Sequence, residues 1–161
     1  MIVDCDCDGY TSAALLINFL YKLYPDFNID YVMHENKQHG MNDIPIDKLF
    51  EYDLIIVPDG GSGDYERHKI CKDRGIAVIC LDHHPVDKVS PDAIVVNNQL
   101  CNYPNKQFSG VGIVWQFCRK YVDMYEPEKL EIPEKFLDLL ALGLMADMQS
   151  MLESETKFLI W

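Results

Sequence analysis

The chain has 161 residues, of which 48% are hydrophobic and 25% charged, and its formal net charge is −12 at pH 7. These values are typical of one globular domain with a substantial core, and they argue against a strongly basic nucleic-acid-binding surface. No apolar stretch predicts a membrane span, and no basic segment followed by an apolar run predicts a signal peptide, so we expect a cytoplasmic location.

Strand-like apolar runs alternate with helical patterns along the first part of the chain. In chain order we predict a strand over 1–4, a helix over 11–24, strands over 29–33 and 54–57, a helix over 65–74, and strands over 76–81 and 93–96. This alternation is typical of an α/β fold, here with a mainly parallel five-stranded sheet flanked by helices.

The C-terminal part is predicted to be helical, with helices over 111–125 and 133–148 and a last helix from about residue 154. We expect a single domain over 1–161. Its first strand has few residues before the first motif, and its end lies inside the apolar run 158–161. We therefore expect it to be a fragment of a longer chain.

Six cysteines lie at 5, 7, 71, 80, 101 and 118, without a C-x-x-C pair. Buried, reduced thiols are favoured over disulfides or a zinc site. Three histidines, His34, His39 and His68, lie outside any acidic cluster. We assign them no role and expect them on the surface or in loops.

Three acidic clusters each follow a predicted strand, at 4–9, 58–63 and 81–85, and Asp147 ends an apolar helix. The carboxyl ends of parallel strands meet at one sheet edge, where ligand sites form. Carboxylates that converge there repel one another unless cations lie between them. Oxygen and imidazole ligands suit Mn²⁺ or Mg²⁺, and two such ions could hold a bridging hydroxide and clamp a phosphate.

Each cluster alone has a simpler interpretation. Asp59-Gly60-Gly61 is also a common turn sequence, and the run of aspartates at 4–8 resembles the start of a calcium-binding loop. No glutamate stands at the twelfth position of such a loop, which argues against an EF-hand. The joint occurrence of the clusters at strand ends favours a metal site.

Several of these motifs resemble those of the DHH phosphoesterases, and of their RecJ-type single-strand nucleases in particular. Asp82-His83-His84 resembles the signature of the family. The aspartates at 4, 6 and 8 match the first motif, and Asp59-Gly60-Gly61-Ser62 matches the second. Residues 109–112 match the motif that opens the long helix, and residues 142–147 match the last motif. The motifs occur in the family's order and span almost the whole chain.

The resemblance implies a centre of two Mn²⁺ ions, with Mg²⁺ as an alternative. Asp6 and Asp8 would bind one metal each, Asp59 would bridge the two ions, and His83 and Asp147 would complete the second site.

The resemblance also implies catalytic roles for His84, which would contact the scissile phosphate, and for Asp82, which would orient the histidines or ligate directly. Asp4 would be a further metal ligand in the RecJ-like manner, because Ile2 stands where many small-substrate members carry a histidine. Phosphate contacts are expected from Gly60, Ser62, Ser109 and Gly110.

The expected activity is metal-dependent phosphodiester hydrolysis, by a single-strand DNA exonuclease that uses a hydroxide activated by two metals. One alternative is a phosphodiesterase or phosphatase for cyclic dinucleotides, adenosine bisphosphate or short oligonucleotides, which the acidic charge favours. Another is a non-catalytic DHH-like scaffold. The second, substrate-binding domain of the family has no counterpart in the sequence, so we expect it to be missing or supplied by a partner.

Overall fold

The computed structural model of the protein describes residues 1–34, 39–100 and 102–149. The strands are β1 (Ile2–Val3), β2 (Val32–Met33), β3 (Leu54–Pro58), β4 (Ala77–Asp82) and β5 (Ile94–Asn97). The α-helices are α1 (Cys7–Leu23), α2 (Tyr65–Asp73), α3 (Gly110–Tyr125), α4 (Glu131–Glu134) and α5 (Leu137–Ala146). The α/β prediction is thereby confirmed.

The strands form two parallel sheets, one of β1 and β2 and one of β3, β4 and β5 in that order. The prediction of a single five-stranded sheet is therefore wrong. β1 lies beside β3, but it has only two residues and pairs with β2 through Ile2 and Val3. No ladder joins β1 to β3 in the described part of the chain, so packing joins the two sheets.

Both faces of the central sheet are covered, which explains why β3 and β4 are almost continuously apolar. On one face, Phe19 of α1 and Trp115 of α3 pack in a core that includes Leu81. On the other face, the side chains of Ile55 and Val57 pack in a second core with residues of α2 and of the segment 41–49. This layering fixes the carboxyl ends of β3 and β4 relative to the starts of α1 and α3.

Two helix boundaries differ from the prediction. α1 begins at Cys7 instead of residue 11, because the Asp6 carboxylate accepts a hydrogen bond from the Gly9 amide and caps the helix. The predicted helix over 133–148 is two helices, since the amides of Lys135 and Phe136 bond back only three residues and Phe136 leaves helical geometry. The helix predicted from about residue 154 lies outside the described residues.

Among the described cysteines, Cys71, Cys80 and Cys118 are buried, Cys5 and Cys7 are partly exposed, and these five form no disulfide. None of the helices in the described part of the chain is long and apolar enough to cross a membrane.

Candidate metal centre

Asp8 joins the first acidic motif to the start of α3. It lies in the first turn of α1, it is buried, and its carboxylate accepts hydrogen bonds from the amides of Gly110 (2.6 Å) and Val111 (3.0 Å). These amides lie in the first turn of α3, where backbone donors have no partner within the helix and a negative charge is favoured. Burial nevertheless raises the pKa of Asp8, and the amide bonds only partly oppose it.

Asp59 is the most buried carboxylate of the site, with 1% of its surface exposed. It follows β3 in the left-handed region with φ 68°, an uncommon conformation for a residue other than glycine, and its amide donates to the Leu81 carbonyl at 2.7 Å. Its Oδ1 atom lies 3.2 Å from His83 Nε2 but has no hydrogen-bond partner in the described structure. Burial, followed by the charge of Asp8, raises the pKa of Asp59 to about 10.

Asp82, at the end of β4, holds the two histidines that follow it. One of its oxygens accepts bonds from the amides of His83 (2.7 Å) and His84 (3.0 Å) and lies 2.9 Å from His84 Nδ1; the other accepts the Ser62 amide at 2.9 Å. Burial acts to raise the pKa of Asp82, but the bonds to His84 and Ser62 outweigh it and hold that pKa below its usual range. Two roles were predicted for Asp82, namely orienting the histidines or binding a metal directly. The geometry favours the first.

Two groups of side chains in the described part of the chain could each hold a cation. One consists of Asp59, His83 and His84, the other of Asp8, His83 and Asp147, and the ligand atoms within each group lie within 4.8 Å of one another. Asp147 caps the C-terminus of α5, with its Oδ2 3.8 Å from His83 Nδ1. His83 belongs to both groups, so two ions held there would be neighbours.

This donor set fits divalent metal ions. Carboxylate and imidazole ligands suit Mn²⁺ and Mg²⁺, and the unpartnered, buried oxygen of Asp59 lacks the compensation that such a group needs. A cation between Asp8 and Asp59 would supply it. The structure thus brings together four of the six predicted metal ligands, namely Asp8, Asp59, His83 and Asp147.

Asp4 and Asp6 lie outside both groups. Asp6 caps α1, and Asp4 is bonded to His39. Both remain close enough for their charges to contribute to the raised pKa of Asp59. A role for them as metal ligands stays a prediction.

The residues predicted to contact phosphate are buried in the structure. The amides of Ser62 and Gly110 donate to Asp82 and Asp8, and the Ser62 hydroxyl accepts a bond from Asn97. The Ser109 hydroxyl is buried without a hydrogen-bond partner in the described structure. Ser62 and Gly110 therefore support the carboxylates here. Phosphate binding by these residues and by the buried Gly60 stays a prediction.

The expectation of a surface or loop position is wrong for His68, which is buried within α2, while His34 lies in a loop but is buried. His34 Nε2 lies 2.8 Å from the Gly40 carbonyl, and His68 Nε2 lies 3.4 Å from the sulfur of Cys80. His39 lies at the site itself, hydrogen-bonded to Asp4. No local sequence motif marks His39, because its contact with Asp4 spans 35 positions.

Neighbouring aspartates and histidines lie at the carboxyl edge of a parallel sheet. This arrangement is typical of α/β proteins that bind divalent cations at that edge. Within that class, the chain belongs to the DHH family: the family model described as "DHH family, N-terminal domain" matches residues 1–144. This match confirms the family resemblance of the motifs.

Curated relatives include a protein of Bacillus subtilis named as the SPbeta prophage-derived single-strand DNA-specific exonuclease YorK. It is 40% identical over 159 residues, which are 97% of this chain and 26% of that protein. The single-stranded-DNA-specific exonuclease RecJ of the same organism is 32% identical over 151 residues, 90% of this chain and 18% of the relative. The chain thus spans about a quarter or less of the length of these relatives.

Solved structures share the fold. RecJ bound to manganese superposes with a TM-score of 0.84 at 23% identity, over 99% of this chain and 40% of that one. RecJ of Thermus thermophilus in complex with Mn²⁺ superposes with a TM-score of 0.79 at 22% identity, over 99% of this chain and 22% of that one.

Proposed function

We propose that this chain is the metal-binding domain of an exonuclease that hydrolyses phosphodiester bonds of single-stranded DNA with two divalent ions, Mn²⁺ or Mg²⁺. The observation that carries the proposal is the convergence of Asp8, Asp59, His83 and Asp147 at one sheet edge. Relatives named as single-strand DNA-specific exonucleases, and a shared fold with manganese-bound RecJ, support it.

Bound divalent ions would supply Lewis-acid catalysis, by lowering the pKa of water and by offsetting charge on the phosphate. Asp59 and Asp8 would hold them, together with His83 and Asp147. The buried carboxylates carry the negative charge that such ions need, and the amides of Gly110 and Val111 fix the orientation of Asp8.

We assign the contact with the phosphate to His84. Its Nδ1 is anchored on Asp82, its side chain is 40% exposed, and the bond to Asp82 raises the pKa of its imidazole. An anchored, partly exposed imidazolium is a strong donor to phosphate oxygens. Asp82 acts here as a positioning residue.

A second candidate function is the hydrolysis of a small phosphodiester, such as a cyclic dinucleotide. The net charge of −12 favours it, because a long polyanion is attracted by basic surfaces. The rates of hydrolysis of a single-stranded oligonucleotide and of a cyclic dinucleotide separate the two: faster turnover of the cyclic compound would contradict the exonuclease assignment.

The test of the metal centre is Asp59→Ala. We expect the rates of hydrolysis of fluorescent single-stranded DNA and of bis-p-nitrophenyl phosphate with Mn²⁺ to fall by at least about 100-fold. The reason is that both reactions need the metal ligand that the substitution removes. Asp123→Ala is the control, since Asp123 is exposed on α3 and pairs only with Lys120 among the ion pairs of the described residues. Mn²⁺-dependent turnover that survives Asp59→Ala would contradict the proposed centre, whereas a parent chain that neither binds Mn²⁺ nor hydrolyses either substrate would favour a non-catalytic scaffold.

A further inference from the structure

His39 lies beside the centre and contacts residues of two other parts of the chain. Its Nδ1 atom is bonded to the carboxylate of Asp4, which is 3% exposed. Its ring centroid lies 5.1 Å from that of His84, on which the ring is tilted by 50°. The His39 side chain itself is 42% exposed, so one edge of the imidazole is open to solvent.

The backbone next to His39 is firmly held. The Asp64 carboxylate accepts the Met41 amide at 2.6 Å and the side-chain amide of Asn42 at 2.5 Å. Gly40 adopts a φ of +79°, and a Cβ added there would overlap Asp64. His34 Nε2 lies 2.8 Å from the Gly40 carbonyl. Buried contacts therefore hold the backbone that follows His39.

Asp4–His39 and Asp82–His84 are two carboxylate–imidazole pairs of the same design. In each, a buried carboxylate anchors Nδ1 and leaves the opposite edge of a partly exposed ring available. The two rings are close enough for both to reach oxygens of one phosphate group, because hydrogen bonds add about 2.7–3.0 Å on each side. His83 is a further neighbour of His84, with ring centroids 4.4 Å apart.

We propose that His39 is a substrate-contacting residue that binds a non-bridging oxygen of the phosphate held by His84, a role that rests on the proposed function. Because Nδ1 is bonded to Asp4, the Nε2 edge of the ring is the edge that can approach an anionic oxygen. His39 belongs to neither group of candidate metal ligands in the described structure. Its open edge is therefore assigned to the substrate.

Two amide substitutions separate the two ring nitrogens. His39→Asn places an amide near Nδ1, keeps a bond to Asp4 and loses the Nε2 donor. His39→Gln carries an amide to the position of Nε2. We expect kcat/KM for a single-stranded oligonucleotide to fall about 10- to 100-fold in His39→Asn, the range for one charge-assisted hydrogen bond, and clearly less in His39→Gln. Unchanged kinetics of His39→Asn, or equal losses in both variants, would overturn the assignment.

Two binding measurements accompany the kinetics. Calorimetric titration of each variant with Mn²⁺ alone should match the parent chain, and weaker Mn²⁺ binding by His39→Asn would instead make His39 a metal ligand. Fluorescence anisotropy with a phosphorothioate oligonucleotide and Mn²⁺ should show weaker binding by His39→Asn. A parent chain without hydrolytic activity contradicts the proposed function, and the anisotropy then still decides whether His39 binds the phosphate.

Discussion

At the scale of single residues, glycines decide how closely the buried carboxylates can be approached. A Cβ at Gly110 would overlap the Asp59 carboxylate, and one at Gly143 would lie 2.8 Å from Asp8 Oδ1. Neither glycine has a positive φ, so the constraint at both is space. The starts of α3 and α5 can pack onto the acidic centre because no side chain intervenes.

We expect Gly110→Ala to weaken Mn²⁺ binding about 10- to 100-fold, the effect typical of disturbing the support of a ligand. The added methyl group must displace Asp59 from its position beside His83. Titration calorimetry measures the loss. Gly63→Ala is the matched control in the same site, since its nearest neighbour would be Val86 Cγ2 at 3.8 Å. Equal Mn²⁺ affinity in both variants would contradict this account of Gly110.

At the scale of elements, α5 carries Asp147 to the centre and is held by one face. Leu140 and Leu144 are buried at 1% and 0% exposure in the core shared with α1 and α3. Leu142 on the same helix is 53% exposed. The buried face therefore decides where the Asp147 carboxylate lies.

Leu140→Ala should lower the free energy of unfolding by about 2–5 kcal/mol, because it removes buried methyl groups and leaves a cavity. Leu142→Ala should change it by less than about 0.5 kcal/mol, as exposed positions do. Denaturant-induced unfolding, with both variants measured beside the parent chain, distinguishes them. Similar losses in the two variants would mean that α5 packs by a different face.

At the scale of the whole molecule, the candidate metal centre concentrates buried carboxylates. In the absence of cations, their negative charges destabilise the folded chain. The pKa of Asp8 is raised by burial, and that of Asp59 is raised to about 10 by burial and by the charge of Asp8. An unfolded aspartate titrates near about 3.9. Between pH values of about 3.9 and about 10, these aspartates bind more protons in the folded, metal-free chain than in the unfolded chain. The folded chain must therefore lose stability as the pH rises through this range.

We therefore expect the metal-free chain to unfold more easily at pH 8 than at pH 5. Mn²⁺ at about 100 times its Kd should add about 2.7 kcal/mol to the free energy of unfolding. The gain should be larger at pH 8, because bound ligands must be deprotonated. Asp59→Asn should stabilise the metal-free chain and reduce the gain from Mn²⁺. Thermal unfolding with EDTA or Mn²⁺ tests both, and a metal-free chain that gains stability toward pH 8 would contradict the argument.

Much of the site could be predicted from local sequence. Apolar runs followed by acidic motifs placed Asp8, Asp59 and His83 at strand ends, and parallel strands necessarily bring such ends to one edge. The prediction that the helix begins at residue 11 missed the N-cap at Asp6, because the aspartates at 4–8 were interpreted as metal ligands. The separation of the strands into two sheets was not predicted either. The lengths of β1 and β2 depend on which strands they pair with in the folded chain.

The amino-acid sequence by itself determined the α/β class, the family and the carboxylates at the strand ends, because periodicity and motif spacing are local properties of the chain. Only the tertiary structure decided which groups those carboxylates meet. Asp8 receives amides more than one hundred residues away, and His39 reaches Asp4 across 35 positions. Such contacts follow from how helices and loops pack over the sheet edge, and no local pattern encodes that packing.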